Sequence, residues 1–162
     1  MLITSIGQGL LWAPLVIGVF LTFRILNIPD LTTEGSFPLG AAVTISSMLA
    51  GQSAVVASLF GFVAGCLAGW VTGLLDTKLK MPSLLAGILT MTGLYSINMH
   101  IMGKANIPLL DQKTLMGWLP AGWSLNLQTI VVGAVVTLIV LAGLIWLFQT
   151  RLGLSLMATG NN

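Results

Sequence analysis

Residues 53–75 read SAVVASLFGFVAGCLAGWVTGLL, and none of them is Asp, Glu, Lys, Arg or His. As a helix this stretch is about 35 Å long at 1.5 Å per residue, enough to cross the roughly 30 Å hydrocarbon core of a bilayer. Ser53, Ala57, Gly61, Gly65, Gly69 and Gly73 recur every fourth residue. A ridge of small residues lets a neighbouring helix approach backbone to backbone, which is how helices associate in lipid. The stretch therefore predicts a membrane-spanning helix with a close protein neighbour. Gly61, Gly65, Gly69 and Gly73 are its helix-packing candidates, as a static seam or as a surface on which helices slide.

The rest of the chain repeats this lesson. Of 162 residues, 56% are hydrophobic and 6% are charged, against about 25% charged in soluble domains. The mean hydropathy is +1.02. Residues 1–23, 35–75, 81–99 and 114–150 all lack ionisable side chains of these five types. Each tract can supply a crossing, and 35–75 is long enough for two. The fold class expected is all-α: a polytopic membrane bundle of about five embedded helices, at residues 3–23, 37–50, 53–75, 83–102 and 126–148, one of them short or broken. The first is read as a retained helix, because it has no basic leader or Ala-x-Ala-like site and carries Trp12 and Pro14. Trp12 is expected between helices.

Lys and Arg favour the cytoplasmic side of a membrane. With five passes, Arg24, Lys78, Lys80 and Arg151 fall on one side, and Lys104 and Lys113 on the other with Asp111. The expected orientation is an outside N-terminus. Trp118 and Trp123 then suit the outer interface, Trp70 and Trp146 the inner one. Residues 110–118 form a candidate interfacial helix.

The segment 37–50 is short for a crossing and rich in small residues: Gly40, Ala41, Ala42, Ser46, Ser47 and Ala50. It is expected inside the bundle, where its polar approach, residues 28–36, is sheltered by protein or lines a cavity. Asp30 and Glu34 lie in that approach, four residues apart. Two readings stand: Asp30 and Glu34 cap the following helix, with Glu34 and Ser36 just ahead of its first turn, or the acids handle a solute or a proton. Thr44, Ser46, Ser47 and Asn98 are the other polar groups available to line a path.

Chemistry of the bond-breaking kind finds little support. The single His100 and single Cys66 come without a Gly-x-Ser-x-Gly elbow, and His100 falls at a helix end. The carboxylates Asp30, Glu34, Asp76 and Asp111 show no metal-ligand spacing, so no metal or cofactor is expected. There is no phosphate-binding loop, which puts any ATP site on another chain. A net charge of +2 gives no reason to expect nucleic acid. Cys66 has no partner for an internal disulfide.

Three stretches carry a family likeness: RILNIPDLTTEGSFPLGAAV at 24–43, KMPSLLAGILTMTGLYSIN at 80–98 and TRLGLSLMATGNN at 150–162. Together they resemble the permease subunits of bacterial ABC importers, of the branched-chain amino acid and sugar type. The resemblance implies a multi-pass carrier in the cytoplasmic membrane, one domain over 1–162. It implies three partners besides lipid: an ATP-binding subunit, an extracytoplasmic solute-binding protein and a second permease subunit. It makes Asp30, Thr32, Thr33, Glu34, Ser36, Pro38 and Gly40 candidates for the translocation path. Arg151, Gly153, Thr159, Gly160 and Asn161 become candidates for docking the ATPase, at the entry to a cytoplasmic coupling loop. Such permeases continue past that loop, so the chain is expected to be an N-terminal portion. A small solute-binding subunit of a vitamin-type importer, an intramembrane hydrolase using His100, and a structural membrane subunit are the alternatives.

Overall fold

A computed structural model describes residues 2–104, 107, 109, 114–120 and 122–160, without the side chains of Trp118, Thr159 and Gly160. Its described elements are helical: α1 Leu2–Phe20, α2 Thr32–Leu49, α3 Ala54–Thr77, α4 Ser83–Met102, α5 Leu125–Gln149 and α6 Arg151–Gly160. Four stretches are long and apolar enough to span a bilayer: Leu2–Ile25, Ala54–Thr77, Ser83–Met102 and Leu125–Gln149. The all-helical, polytopic architecture is as expected. The helices group into two compact units, residues 29–114 and residues 1–28 with 115–162.

In the first unit, α2 lies against both α3 and α4. Thr32 meets Thr72 and Gly40 meets Gly61, so α2 and α3 run antiparallel. Leu31 meets Gly87 and Gly35 meets Met91, so α2 and α4 run parallel. Leu39, Ala68 and Leu94 form the buried apolar centre, with Val43, Ala64 and Ile101 packed around it. The turn between α3 and α4 holds Lys78 and Lys80, with Lys80 at φ 52°. Gly103 closes α4 in the left-handed region (φ 62°), its N–H donating to the Met99 carbonyl at 2.9 Å. A residue without Cβ adopts that conformation freely.

The sequence-based start of α2 needs correction. The helix begins at Thr32, not Phe37, and its 18 residues make about 27 Å. It is longer than expected, yet still below the roughly 30 Å of the hydrocarbon core, and it is not among the four spans. Pro38 sits in its seventh position rather than its first turn, and Glu34 and Ser36 lie within the helix instead of ahead of it.

In the second unit, α1 and α5 pack in parallel. A Cβ on Gly7 would lie 3.3 Å from Ile130 and Thr129, and one on Gly133 would lie 2.9 Å from Leu10 Cβ. Pro14 stands inside α1 and has no N–H for the Leu10 carbonyl one turn back. Thr137 Oγ1 of α5 donates to that carbonyl at 3.2 Å. In lipid a freed backbone carbonyl must find such a substitute. Trp12, expected between helices, is 54% exposed in the described chain. Past Phe20 the helix widens into a π turn, Leu21–Ile25, closed by Leu26 N–H to Leu21 O at 3.0 Å. This carries the helical stretch to Ile25, two residues beyond the expected end. Residues 110–113 of the expected interfacial helix lie outside the described residues, and Leu115–Trp118 forms a 3-10 turn.

Candidate functional site

The site is built around the start of α2. Asp30 Oδ1 accepts the Thr32 N–H at 2.8 Å, filling one of the donors a helix start leaves open. Of the two acids expected to cap this helix, Asp30 does so, whereas Glu34, like Ser36, lies inside the helix. Ser36 Oγ donates to the Thr33 carbonyl at 3.4 Å inside the helix. The Asp30 turn rests on α4 at Gly87, where a Cβ would stand 2.9 Å from Leu31 N and 3.1 Å from Asp30 Oδ1. Gly87 is four residues into α4, so this turn lies about 6 Å inward of the helix start.

Thr32 is buried, and its hydroxyl shares a 2.8 Å hydrogen bond with that of Thr72 on α3. Thr33 is half-buried. At Gly35 the helices pack closely: a Cβ there would be 3.0 Å from Met91 Cα and 3.2 Å from Leu94 Cδ1. That closeness brings the Gly35 carbonyl to Asn98, whose Nδ2 donates to it at 3.4 Å. Asn98 is 8% exposed, and its Oδ1 is buried with no partner among the described residues. An unpaired buried acceptor costs about 1–3 kcal/mol, so it marks a place where something beyond packing is at work.

Glu34 is exposed on the same flank of α2 as Pro38. Pro38 cannot donate to the Glu34 carbonyl one turn back, so that carbonyl lacks its helical donor. Between this flank and α4 opens a cleft of about 440 Å³. Its α2 wall is Glu34, Gly35 and Pro38, and its α4 wall includes Thr92, Tyr95 and Asn98. A second groove of about 520 Å³, bordered by Val43, Leu67, Val71, Leu89 and Ile97, is almost wholly aliphatic.

The glycine ridge of α3 divides. A Cβ on Gly61 would strike Thr44 Oγ1 and stand 2.6 Å from the Gly40 carbonyl. Thr44 Oγ1 itself donates to that carbonyl at 2.8 Å. At Gly65, Gly69 and Gly73 a Cβ would meet nothing within 4 Å among the described residues. The reason is helical pitch. A repeat of four residues advances about 40° per step on a 3.6-residue helix, so the ridge winds away from α2. Ala57, Gly61, Ala68 and Thr72 form the buried face instead.

In the other unit, α5 ends at Thr150, which is extended (φ −87°, ψ 164°). The chain then turns into α6. Gly153 is buried at this corner, and a Cβ on it would strike the Leu147 carbonyl and Phe148 Cα. Arg151 is exposed. Thr159 and Gly160 end α6, and Asn161 lies outside the described residues. Among the described residues no cluster of three His, Cys, Asp or Glu could hold a metal ion. Gly87, Thr72 and Thr137 escaped sequence reasoning. Each acts through a partner at least 40 positions away, and only Pro14 hinted that some donor would be needed.

Comparison with known proteins adds a lineage to this geometry. A model described as branched-chain amino acid transport system / permease component matches residues 1–162. The chain is similar to a tyrosine transport system permease protein of Clostridioides difficile, with 38% identity over 99% of this chain and 52% of that protein. An uncharacterized protein of Rickettsia prowazekii is 36% identical over 99% of this chain and 55% of its own length. An autoinducer 2 import system permease protein of Yersinia pseudotuberculosis is 31% identical over 91% of this chain and 41% of its own. The chain spans about half the length of the first two of these relatives. No solved structure matches significantly. With its full length matched on an all-helical membrane architecture, the chain belongs to the family of branched-chain amino acid transport system permease components.

Proposed function

We propose that this chain is part of the membrane-spanning permease of an ATP-driven importer, and that it carries a small, amino-acid-like solute across the cytoplasmic membrane. The observation that carries this reading is the match of residues 1–162 to the permease family. The tyrosine transport relative supports an amino-acid-like solute. In this reading residues 1–162 belong to one membrane domain. A binding protein delivers solute to the outer face, an ATPase subunit supplies the energy, and a second permease subunit completes the pathway. The solute keeps its bonds, so catalysis of ATP hydrolysis belongs to the partner.

The start of α2 is the proposed path-lining element. Asp30, Thr32, Thr33, Glu34, Ser36, Pro38 and Gly40 put carboxylates, hydroxyls and a proline-freed carbonyl on a helix packed between two apolar spans. Polar groups at such depth are costly in lipid and persist where they serve a pathway. Gly65, Gly69 and Gly73, where a Cβ would meet nothing within 4 Å among the described residues, are proposed to receive helices of the rest of the permease. The α5–α6 corner, with Arg151, Gly153, Thr159, Gly160 and Asn161, is proposed to dock the ATPase. The side bearing Arg24, Lys78, Lys80 and Arg151 is then cytoplasmic, and the N-terminus outside.

The test is capture of the tagged protein from its native membrane, followed by reconstitution in liposomes. An ATP-binding subunit should co-purify, and uptake of radiolabelled amino acids should require ATP and the binding protein. Capture without an ATPase, together with no ATP-dependent uptake, overturns the reading.

A further inference from the structure

We infer that the groove between α1 and α5 holds an acyl chain of an anionic phospholipid, whose phosphate is bound by Arg24 and Arg151. The inference goes beyond the transport reading and uses only the unit of residues 1–28 and 115–162. Its two spans, Leu2–Ile25 and Leu125–Gln149, run parallel. Beside their last turns lies a cavity of about 370 Å³, bordered by Val16, Phe20, Ile25, Leu141, Leu144 and Phe148. All of its lining side chains are apolar. From Leu141 to Phe148 it runs about 10 Å along α5, at 1.5 Å per residue. That is the outer third of a roughly 30 Å hydrocarbon core, where the upper part of an acyl chain lies.

Both cations of the unit stand at the mouth of this groove. Arg24 directly precedes Ile25 in the π turn, and Arg151 follows Phe148 by three residues, at the start of α6. Both are exposed, and α6 packs against the π turn, so the two segments that carry them are neighbours. Residues 1–28 and 115–162 contain no Asp or Glu, and no Lys or His. Like charges held near each other without a carboxylate repel, and an anion between them offsets that repulsion. Where two spans end in a bilayer, the anion at hand is a lipid phosphate. A guanidinium pairs with it through two parallel hydrogen bonds.

The backbone at the mouth is also unusual. The π turn, closed by Leu26 N–H to Leu21 O at 3.0 Å, is of a kind that is rare and recurs at functional sites. Leu21 and Ile25, its first and last residues, both border the groove. The larger aliphatic groove of the other unit reaches Leu75, near Lys78 and Lys80. There Asp76 stands beside the lysines, and an ammonium lacks the planar fork. That groove has the weaker claim.

The test is native mass spectrometry of the full-length protein, stripped of lipid in detergent and titrated with dioleoylphosphatidylglycerol or dioleoylphosphatidylcholine. The anionic lipid should bind at least fivefold more tightly. Arg24→Gln and Arg151→Gln should each reduce that preference about fivefold, the scale of one basic side chain at an anionic membrane surface. Arg24→Lys should lose less. Ile145→Trp, at an exposed position on the groove wall, should weaken both lipids and leave the preference in place. The double variant Lys78→Gln/Lys80→Gln should bind as the parent does, which separates this site from general attraction to basic side chains. Glycerol 3-phosphate, which has the phosphate without the chains, should not displace the lipid. Equal binding of the two lipids, an equal loss in the lysine variant, or displacement by glycerol 3-phosphate overturns the site. So does a protein that retains neither lipid, because a further helix of the full chain then fills the groove. The measurement needs no ATP, ATPase or uptake, so its failure leaves the permease reading untouched, and failed uptake leaves the lipid site standing.

Discussion

Thr137 on α5 gives its hydroxyl hydrogen to the Leu10 carbonyl, the group that Pro14 leaves without a helical donor. The two residues are 127 positions apart and correct one defect. Thr137→Val should therefore destabilise the α1–α5 pair by about 1 kcal/mol, within the range of interhelical hydrogen bonds in membranes. The sharper expectation is coupling. In a Pro14→Ala background the Leu10 carbonyl recovers its own helix donor, and Thr137→Val should cost clearly less. Thermal unfolding of the four proteins in detergent, followed by tryptophan fluorescence, reads the cycle. Equal losses in both backgrounds would contradict it.

The glycines of α3 should not behave alike. Gly61→Ala forces a Cβ against Thr44 Oγ1 and the Gly40 backbone, and overpacking of this kind costs about 1–3 kcal/mol. Gly69→Ala meets open space and should match or slightly exceed the parent in stability, since alanine favours helix. Side-by-side melting of the isolated chain separates the two. Comparable destabilisation by both would mean that the ridge packs along its whole length within the chain.

The two outcomes on α3 explain what sequence could and could not say. Lengths of uncharged chain gave the spans, because the bilayer imposes a minimum length that composition must meet. The ridge was visible as a repeat, yet its used portion was not, because pitch turns a four-residue repeat across the helix surface. The start of α2 was misplaced for a related reason. Residues 32–36, Thr-Thr-Glu-Gly-Ser, read as a polar turn by composition alone. They are helical because Asp30 caps them, Thr32 bonds to Thr72, and Gly35 packs on Met91. Those contacts come from α3 and α4, and no local window holds them. Asn98 was legible as an available amide, while its missing partner was a property of packing only.

Gly87→Ala should displace the turn before α2. Its Cβ would stand 2.9 Å from Leu31 N, a backbone atom that cannot rotate aside. The Asp30 cap then loosens, and capping is worth about 1 kcal/mol. Asp30→Asn retains an acceptor and should cost less than Asp30→Ala. Hydrogen exchange at the amides of 32–34 is the direct measurement. Faster exchange there in Gly87→Ala, with residues 60–70 unchanged, is the expected pattern; unchanged exchange at 32–34 would sink the argument.

The corner between α5 and α6 depends on one missing Cβ. Thr150 is extended, its hydroxyl donates to Leu147 O at 2.6 Å, and Leu154 N–H donates to Thr150 O at 3.2 Å. These bonds start α6 within one residue of the end of α5. The turn is tight enough that Gly153 lies on the backbone of Leu147 and Phe148. Alanine cannot occupy that position without opening the corner, whereas Arg151, exposed at the same bend, can be replaced freely. Gly153→Ala should therefore increase proteolytic cleavage near 150–154 several-fold, and Arg151→Ala should leave folding unchanged. If the corner is the ATPase dock, both variants should reduce co-purification of the ATP-binding subunit, Gly153→Ala by misplacing α6 and Arg151→Ala by removing a surface cation. A docking defect in neither variant, with cleavage increased only in Gly153→Ala, would keep the geometric claim and move the dock elsewhere.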